Sequence, residues 1–290
     1  MKNLYQPIKV KITKIEKLSK DVKLFRLASP TSSAEGDFVG RRPKQSEGGF
    51  KKNENGLVFN PGQFILVSHF GYGEAPFGPA SSPYQTSYID VIIRRVGTLT
   101  EALHQLKQGD EVFMRGPYGQ GFPLDFISGK DMVLVTGGCG IPPIAALIEY
   151  VVANREKFGR VYLIYGARTP ADLLLKDKLK EWEKHIKVLL TIDKPIKGWS
   201  GPVGMVSELI DDIKIDAKNA VAAMCGPGPM MDALERILRP LGISDRRIFV
   251  SMERKMQCGI GKCQHCAVGD KYVCQDGPVF YFDQIDKSWD

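Results

Sequence analysis

The sequence predicts three consecutive units: an antiparallel β barrel over residues 1–125, a parallel α/β sheet over 126–250 and a small cysteine-bearing segment over 251–290. Three observations carry this. Short alternating runs separated by turn residues fill the first part, as antiparallel strands require. Continuous apolar runs alternating with helical periodicity fill the middle, as parallel strands with right-handed crossovers require. Four of the six cysteines, Cys258, Cys263, Cys266 and Cys274, gather in the last.

In the first unit, KVKITKI and VKLFRLAS within residues 8–29 alternate as a strand pair. Residues 30–56 are rich in Gly, Ser, Lys and Glu and lack apolar periodicity, which reads as a loop insertion. Strands resume with LVFN (57–60), QFILVSHF (63–70), YIDVIIRR (88–95) and residues 111–115.

The pattern changes at DMVLVT (131–136), an apolar run of the kind a buried parallel strand needs. It feeds GGCGIPP, then a helix with apolar residues at Ile144, Leu147, Ile148, Val151 and Val152. The prolines suit that helix's first turn. VYLIYG (161–166), a helix over 173–182, a strand over 186–192, AVAAM (220–224) and a helix through Met231, Leu234, Ile237 and Leu238 continue the alternation. A short strand over 247–251 precedes the cysteines. There are no internal repeats.

The composition is that of a water-soluble globular protein, 43% hydrophobic and 25% charged. The N-terminus has no apolar core of a signal peptide, and the longest apolar stretch, 132–153, is broken by glycines and a Pro-Pro pair. A cytoplasmic protein without a membrane span is expected. Residues 1–60 hold 13 Lys+Arg against 6 Asp+Glu, so this region accounts for the net charge of +7. That surplus is either a solvated face or a docking surface for an acidic partner. Nucleic acid is not expected, because no aromatic-interleaved basic stripe accompanies the charge.

The cysteines follow C-x4-C-x2-C, with the fourth after seven more residues. The first three match the plant-type spacing for a [2Fe–2S] cluster, and Gly259, Gly261 and Gly269 would let backbone amides turn toward its sulfurs. Zinc is the plainer rival, since Cys263 and Cys266 form a C-x2-C knuckle with His265 inside it. Disulfides are disfavoured in a reducing compartment.

Four glycine-bearing turns are candidate ligand contacts. Gly137, Gly138 and Gly140 lie between a buried strand and a helix, where a diphosphate can approach the backbone. Cys225, Gly226 and Pro227 repeat that arrangement, with Cys225 either packed or close to a ligand. Arg94, Arg95, Gly97 and Thr100 end one barrel strand. Arg115, Gly116, Tyr118, Gly119, Gly121 and Phe122 end the next. Arginines and glycine turns of this kind suit phosphate oxygens. The plainer reading is four tight turns without a ligand.

Together these motifs resemble the ferredoxin–NADP reductase superfamily, in its branch with a C-terminal [2Fe–2S] segment. The resemblance runs through Pro61-Gly62-Gln63-Phe64, Gly73-Glu74-Ala75-Pro76, Ser81-Ser82-Pro83, the two barrel turns, Cys225-Gly226-Pro227 and residues 253–280. That branch holds electron-transfer subunits of dihydroorotate dehydrogenase, B subunits of anaerobic sulfite reductase and gamma subunits of soluble hydrogenase/sulfur reductase complexes; the last are nearest. The resemblance implies that the barrel binds FAD, with Arg94 or Arg95, Gly97 and Thr100 on its ribityl and diphosphate portions and Gly116 to Gly121 beside them. The superfamily's Arg-x-Tyr-Ser flavin motif is replaced here by Ala75-Pro76-Phe77-Gly78, with Phe77 in the aromatic slot.

A nicotinamide cofactor is implied for the α/β unit. Asp193 leans toward NADH, while Arg168 and Lys194 leave NADPH open. The expected activity is that of an NAD(P)H-dependent oxidoreductase subunit, moving electrons between NAD(P)H, FAD, the cluster and the catalytic and iron–sulfur subunits of a redox complex. The sequence contains no acid/base or nucleophile set for a separate substrate; His69, His104, His185 and His265 are scattered. Two alternatives stand beside this: a dihydroorotate dehydrogenase partner, and a zinc-stabilised nucleotide-binding regulatory subunit without electron flow.

Overall fold

Period-two burial builds the first sheet. A computed structural model describes residues 5–29 and 57–285; the expected insertion at 30–56 lies outside the described residues. Strands β1 (Ile8–Lys17), β2 (Val22–Ala28), β3 (Phe64–His69), β4 (Gly73–Phe77), β5 (Tyr88–Arg94) and β6 (Glu111–Tyr118) form one six-stranded sheet, ordered β4-β3-β6-β1-β2-β5. Every neighbouring pair is antiparallel. An antiparallel bridge from Pro79, just beyond β4, to Val91 in β5 joins the two edges, so the sheet closes on itself. Val10, Ile12, Phe25, Leu27, Ile65, Val67, Val91 and Ile93 fill the interior, with helix α1 (Thr98–Gln105) contributing Leu99 and Leu103.

Two expectations are corrected here. LVFN is not a strand: Leu57 and Phe59 are side-chain plugs in the barrel core, and Leu57 N–H donates to the Thr86 carbonyl at 2.7 Å. Conversely β4, reading GEAPF, has no alternation and is a strand because it pairs with β3 in unbroken register, Ile65 with Phe77 through His69 with Gly73.

After the short helix α2 (Leu124–Ile127) the second sheet begins. Its parallel strands are β7 (Asp131–Gly137), β8 (Val161–Ala167), β9 (Lys187–Ile192), β10 (Ala220–Cys225) and β11 (Ile248–Ser251). The order of these parallel strands is β11-β10-β7-β8-β9. Helices α3 (Ile141–Ala153), α4 (Lys176–Trp182) and α5 (Gly228–Leu238) cover it. A 3-10 helix, Val206–Asp212, stands between β9 and β10 in place of an α-helix. The helix expected over 173–182 begins only at Lys176, because Leu173, Leu174 and Leu175 are buried and Leu175 is left-handed, φ 55°.

The main departure lies at the end of the chain. After the short hairpin β12 (Ala267–Val268) and β13 (Lys271–Tyr272), strand β14 (Val279–Tyr281) returns antiparallel to β11, pairing Phe249 with Tyr281 and Ser251 with Val279. The sheet is therefore mixed at its edge. The cysteine segment is an excursion between two hydrogen-bonded strands, closed at its base by Met252 N–H donating to the Pro278 carbonyl at 2.8 Å. Among the described residues no helix is long and apolar enough to cross a membrane.

Candidate functional site

Strand order locates the first crevice. The chain passes from β7 through β8 to β9 on one side, then returns to place β10 on the other side of β7. In open α/β sheets ligands bind at such a reversal, beyond the carboxyl ends of the strands. Here those ends carry Gly137, Gly138 and Gly140 after β7 and Cys225, Gly226 and Pro227 after β10. The two turns are in contact. A methyl carbon at Gly140 would overlap the Cys225 carbonyl, and one at Gly226 would lie 2.5 Å from Met230 Cε and 3.3 Å from Gly137 N. Gly138, at φ +53°, faces open space. Its carbonyl accepts the buried Tyr165 hydroxyl at 3.0 Å, which in turn accepts Leu174 N–H at 3.1 Å. Gly140 and Gly226 thus let the two turns pack closely, and Gly138 leaves the backbone beside them open, as an approaching diphosphate needs.

Arg168 and Asp193 stand at adjacent strand ends on the same rim. The β8–β9 register ends on Ala167 and Ile192, and Asp193 N–H donates to the Ala167 carbonyl at 3.1 Å. Both side chains are exposed.

The barrel meets this crevice through two points. Gly78, just past β4, approaches Pro143 in the first turn of α3, with 3.5 Å from an added Cβ to Pro143 Cδ. Phe77 is half-buried against the barrel core. Arg94 sits near Cys139 of the glycine turn, and its charge acts on a thiol whose pKa burial pushes up. Arg94 Nε also donates to Asp21 at 2.8 Å, and this hydrogen bond holds the Asp21 carboxyl below its usual range. Arg95 lies 3.9 Å from Glu101. The Thr100 hydroxyl is turned onto its own helix start, accepting Val96 and Gly97 N–H at 2.9 Å each. The surface above Gly97 is open. Two cations, an open glycine and a helix start fit the phosphate portion of a flavin nucleotide.

The turn carrying Gly116, Tyr118, Gly119 and Gly121, expected beside the flavin, has the cysteine segment as its neighbour. A carbon added at Gly119 would lie 2.6 Å from the Gly277 carbonyl and from Pro278 Cδ; one at Gly121 would meet the Pro61 carbonyl at 2.5 Å. Gly116 packs on Phe64 and Ile65, and Gln120 bridges to Pro278. Between this turn and the cysteine loop lies a cavity of about 280 Å³, lined by Tyr118, Gln120, Ile260, Cys274 and Gln275. Arg115, read as a phosphate contact, is fully committed to protein. Its Nε donates to Glu74 at 2.8 Å, and its two terminal nitrogens donate to the carbonyls of Cys258 at 2.7 Å and Gln257 at 2.8 Å.

The cysteine loop is wound so that amides point at sulfur. Ile260, Lys262 and Cys263 N–H donate to Cys258 Sγ at 3.5, 3.3 and 3.4 Å. Gly261 N–H donates to Cys274 Sγ at 3.0 Å, and Cys274 N–H to Cys266 Sγ at 3.4 Å. Burial raises the Cys258 thiol, but these amides outweigh it and bring it down to about 6. Burial first, then the Cys266 thiol, pushes Cys274 up to about 12. Side-chain hydrogen bonds join Cys258 with Cys263 and Cys266 with Cys274. Two pairs of thiols in an amide-rich loop fit a two-iron cluster, whose sulfurs take such hydrogen bonds. Among the described residues no three His, Cys, Asp or Glu side chains gather at one metal ion. His265 is exposed on the loop.

Sequence reasoning missed Glu253 and Glu74. Glu253 follows β11 by two residues; it keeps solvent access, although protein crowds around its carboxyl. Burial pushes its carboxyl above the usual range, and its charge acts on both Cys225 and Cys139. Cys225 itself is buried, which raises its thiol well above the usual range, and it hydrogen-bonds Ser251. No spacing in the sequence ties residue 253 to 225; only the β10–β11 pairing does, Met224 beside Val250.

Comparison with known proteins follows the same partition. Residues 49–122 match the oxidoreductase FAD-binding domain, 134–236 the oxidoreductase NAD-binding domain, and 253–286 the iron–sulfur cluster binding domain of dihydroorotate dehydrogenase B. The chain is 35% identical to the sulfhydrogenase 2 subunit gamma of Pyrococcus furiosus over 302 aligned residues, covering 98% of each chain. It is 37% identical to the probable dihydroorotate dehydrogenase B electron transfer subunit of Thermococcus kodakarensis, covering 80% of this chain and 88% of that one. Among solved structures, an NADH-dependent reduced ferredoxin–NADP oxidoreductase superposes with a TM-score of 0.70 at 27% identity, over 96% of this chain and 89% of that one. Phthalate dioxygenase reductase shares the fold at 19% identity and a TM-score of 0.61, over 83% and 66% of the two chains.

Proposed function

The chain belongs to the family of FAD-, NAD- and iron–sulfur-binding electron-transfer subunits that includes the sulfhydrogenase gamma and dihydroorotate dehydrogenase B subunits, and we propose that it exchanges electrons between NADH and a partner redox subunit through a [2Fe–2S] cluster on Cys258, Cys263, Cys266 and Cys274. The observation that carries this is the path of the cysteine segment. It leaves the nucleotide sheet at Ser251, lands on the barrel at Arg115 and Gly119, and returns to the sheet at Val279. The cysteine segment therefore spans the nucleotide sheet and the barrel, the position an exit for electrons from both would need.

When bound, the nicotinamide and flavin supply hydride chemistry, and the cluster carries single electrons. The chain's own residues bind and orient. The Gly137–Gly140 and Cys225–Pro227 turns hold the nicotinamide dinucleotide, with Asp193 accepting from the adenosine ribose and Arg168 beside it. Arg94, Arg95, Gly97 and Thr100 hold the flavin's phosphate portion, and Phe77 lies along its ring. Cys225 and Glu253 line the space where the two rings would meet. The thiol pairing and the amides aimed at sulfur support two irons over one zinc.

The partner is read as the catalytic and iron–sulfur subunits of a cytoplasmic hydrogenase or sulfur-reducing complex. The match to the sulfhydrogenase 2 subunit gamma over 98% of both chains supports this, and the dihydroorotate dehydrogenase partner remains the second reading at 37% identity over 80% of the chain. The test is purification without oxygen. About two irons per chain, a brown-yellow colour and bleaching on NADH addition are expected. A colourless protein with one zinc overturns the proposal.

A further inference from the structure

Arg115 and Glu74 form a nearly enclosed ion pair at the junction of barrel and cysteine loop. The arginine side chain is 9% exposed and the glutamate 23%. One edge of the guanidinium takes Glu74; the other donates to the main-chain carbonyls of Gln257 and Cys258. Tyr118 lies under it, 5.7 Å from the ring centroid. Glu74 belongs to β4, the strand that runs on to Phe77 and Gly78. Arg115 belongs to β6, next to β3. A single guanidinium therefore ties the loop of the first cysteine to the strand that carries the altered flavin motif.

We propose that this pair positions the cluster loop on the barrel and sets the cluster's reduction potential, with Arg115 the nearer charge and Glu74 the opposing one. The inference rests on the cluster assignment above. An arginine stays charged at any working pH. A cluster that accepts one electron becomes more negative by one charge, and net charge and hydrogen bonding around it govern its potential. The cation touches the Cys258 main chain directly, whereas the carboxylate reaches it only through the arginine. Removing the cation leaves Glu74 opposing reduction; removing the carboxylate leaves Arg115 favouring it. A merely mechanical tie would move both variants the same way, since either substitution breaks it.

The experiment is a redox titration of the cluster in the full chain, followed by electron paramagnetic resonance. Glu74→Gln is expected to favour the reduced cluster about tenfold, a rise of about 59 mV for one electron. Arg115→Gln is expected to disfavour it about tenfold, a fall of about 59 mV. Arg115→Lys keeps the charge without the fork and is expected to stay within about threefold of the parent. Should Arg115→Gln lose its iron, Glu74→Gln and Arg115→Lys carry the test by themselves. Shifts in one direction for both charge-removing variants, or no shift at Glu74→Gln, overturn the proposal while leaving the cluster reading intact. A parent chain without iron overturns both.

Discussion

Gly140 and the Cys225 carbonyl are pressed together so closely that one added carbon at Gly140 would overlap that oxygen. The contact joins the loops after β7 and β10 at the reversal of strand order, and so defines the floor of the nucleotide crevice. Backbone on both sides leaves little room to yield. Gly140→Ala is expected to cost about 1–3 kcal/mol of stability, the usual range for overpacking. It should also raise the NADH KM by pushing the two turns apart. Thermal unfolding and steady-state NADH oxidation with an artificial acceptor check the two effects.

Glu253 gives a pH signature. Burial raises its carboxyl pKa in the folded chain above the ordinary 4.5. Between those two values the folded state holds a proton that the unfolded state has released, so this group's contribution is fully present below pH 4.5 and is lost as pH rises through the folded value. Relative to Glu253→Gln, the parent should lose stability as pH climbs from about 4.5 toward neutrality. Chemical denaturation of both proteins across that window measures it; parallel curves would argue against a raised pKa.

The sequence made the parallel strands and their turns legible because each is local. DMVLVT and AVAAM are apolar throughout, and the glycines follow them at once. The cysteine spacing was legible for the same reason, since Cys258 through Cys274 lie in one stretch. What the sequence did not disclose depends on pairing between distant segments. GEAPF is a strand only because β3 lies beside it. Val279–Tyr281 is a strand only because β11 offers an edge. Arg115 looked like a phosphate contact because its partners, Glu74 and the carbonyls of Gln257 and Cys258, are far from it in the chain. Gly119 and Gly121 looked like ligand turns, and their small size is used instead against Gly277, Pro278 and Pro61.

The choice between nicotinamide cofactors is expected to turn on Asp193. Asp193 and Arg168 follow the adjacent strands β9 and β8 directly and both are exposed there, where an adenosine ribose would lie. A hydrogen bond to a charged group is worth about 1.5–3 kcal/mol. Asp193→Ser should therefore lower kcat/KM for NADH by roughly tenfold to a hundredfold. Loss of the like charge should help NADPH, with Arg168 available for its 2′-phosphate. Kinetics with both cofactors decide; an unchanged ratio would remove Asp193 from the site.

Gly259→Ala is expected to separate arrival of electrons at the flavin from their departure through the cluster. Gly259 is left-handed, φ +74°, and an added Cβ would lie 2.6 Å from Leu66 Cδ1 and 3.3 Å from Tyr118. Leu66 is fully buried on the other face of β3, in one cluster with Phe64, Tyr118 and the cysteine segment, and cannot move far. Gly259→Ala must therefore lift the Cys258 loop from the barrel, beyond the about 1–2 kcal/mol of backbone strain that a left-handed alanine carries. The nucleotide crevice is built from other segments and is untouched. Bleaching of the flavin by NADH should survive in this variant, while iron content falls or onward transfer to a one-electron acceptor slows at least tenfold. Cys139→Ser, in the glycine turn, should keep its iron, because that cysteine lies outside the loop. Iron analysis and stopped-flow absorbance separate the two steps. Equal loss of flavin bleaching and of cluster reduction in Gly259→Ala would mean that the loop supports the barrel as a whole and not the exit of the electron path.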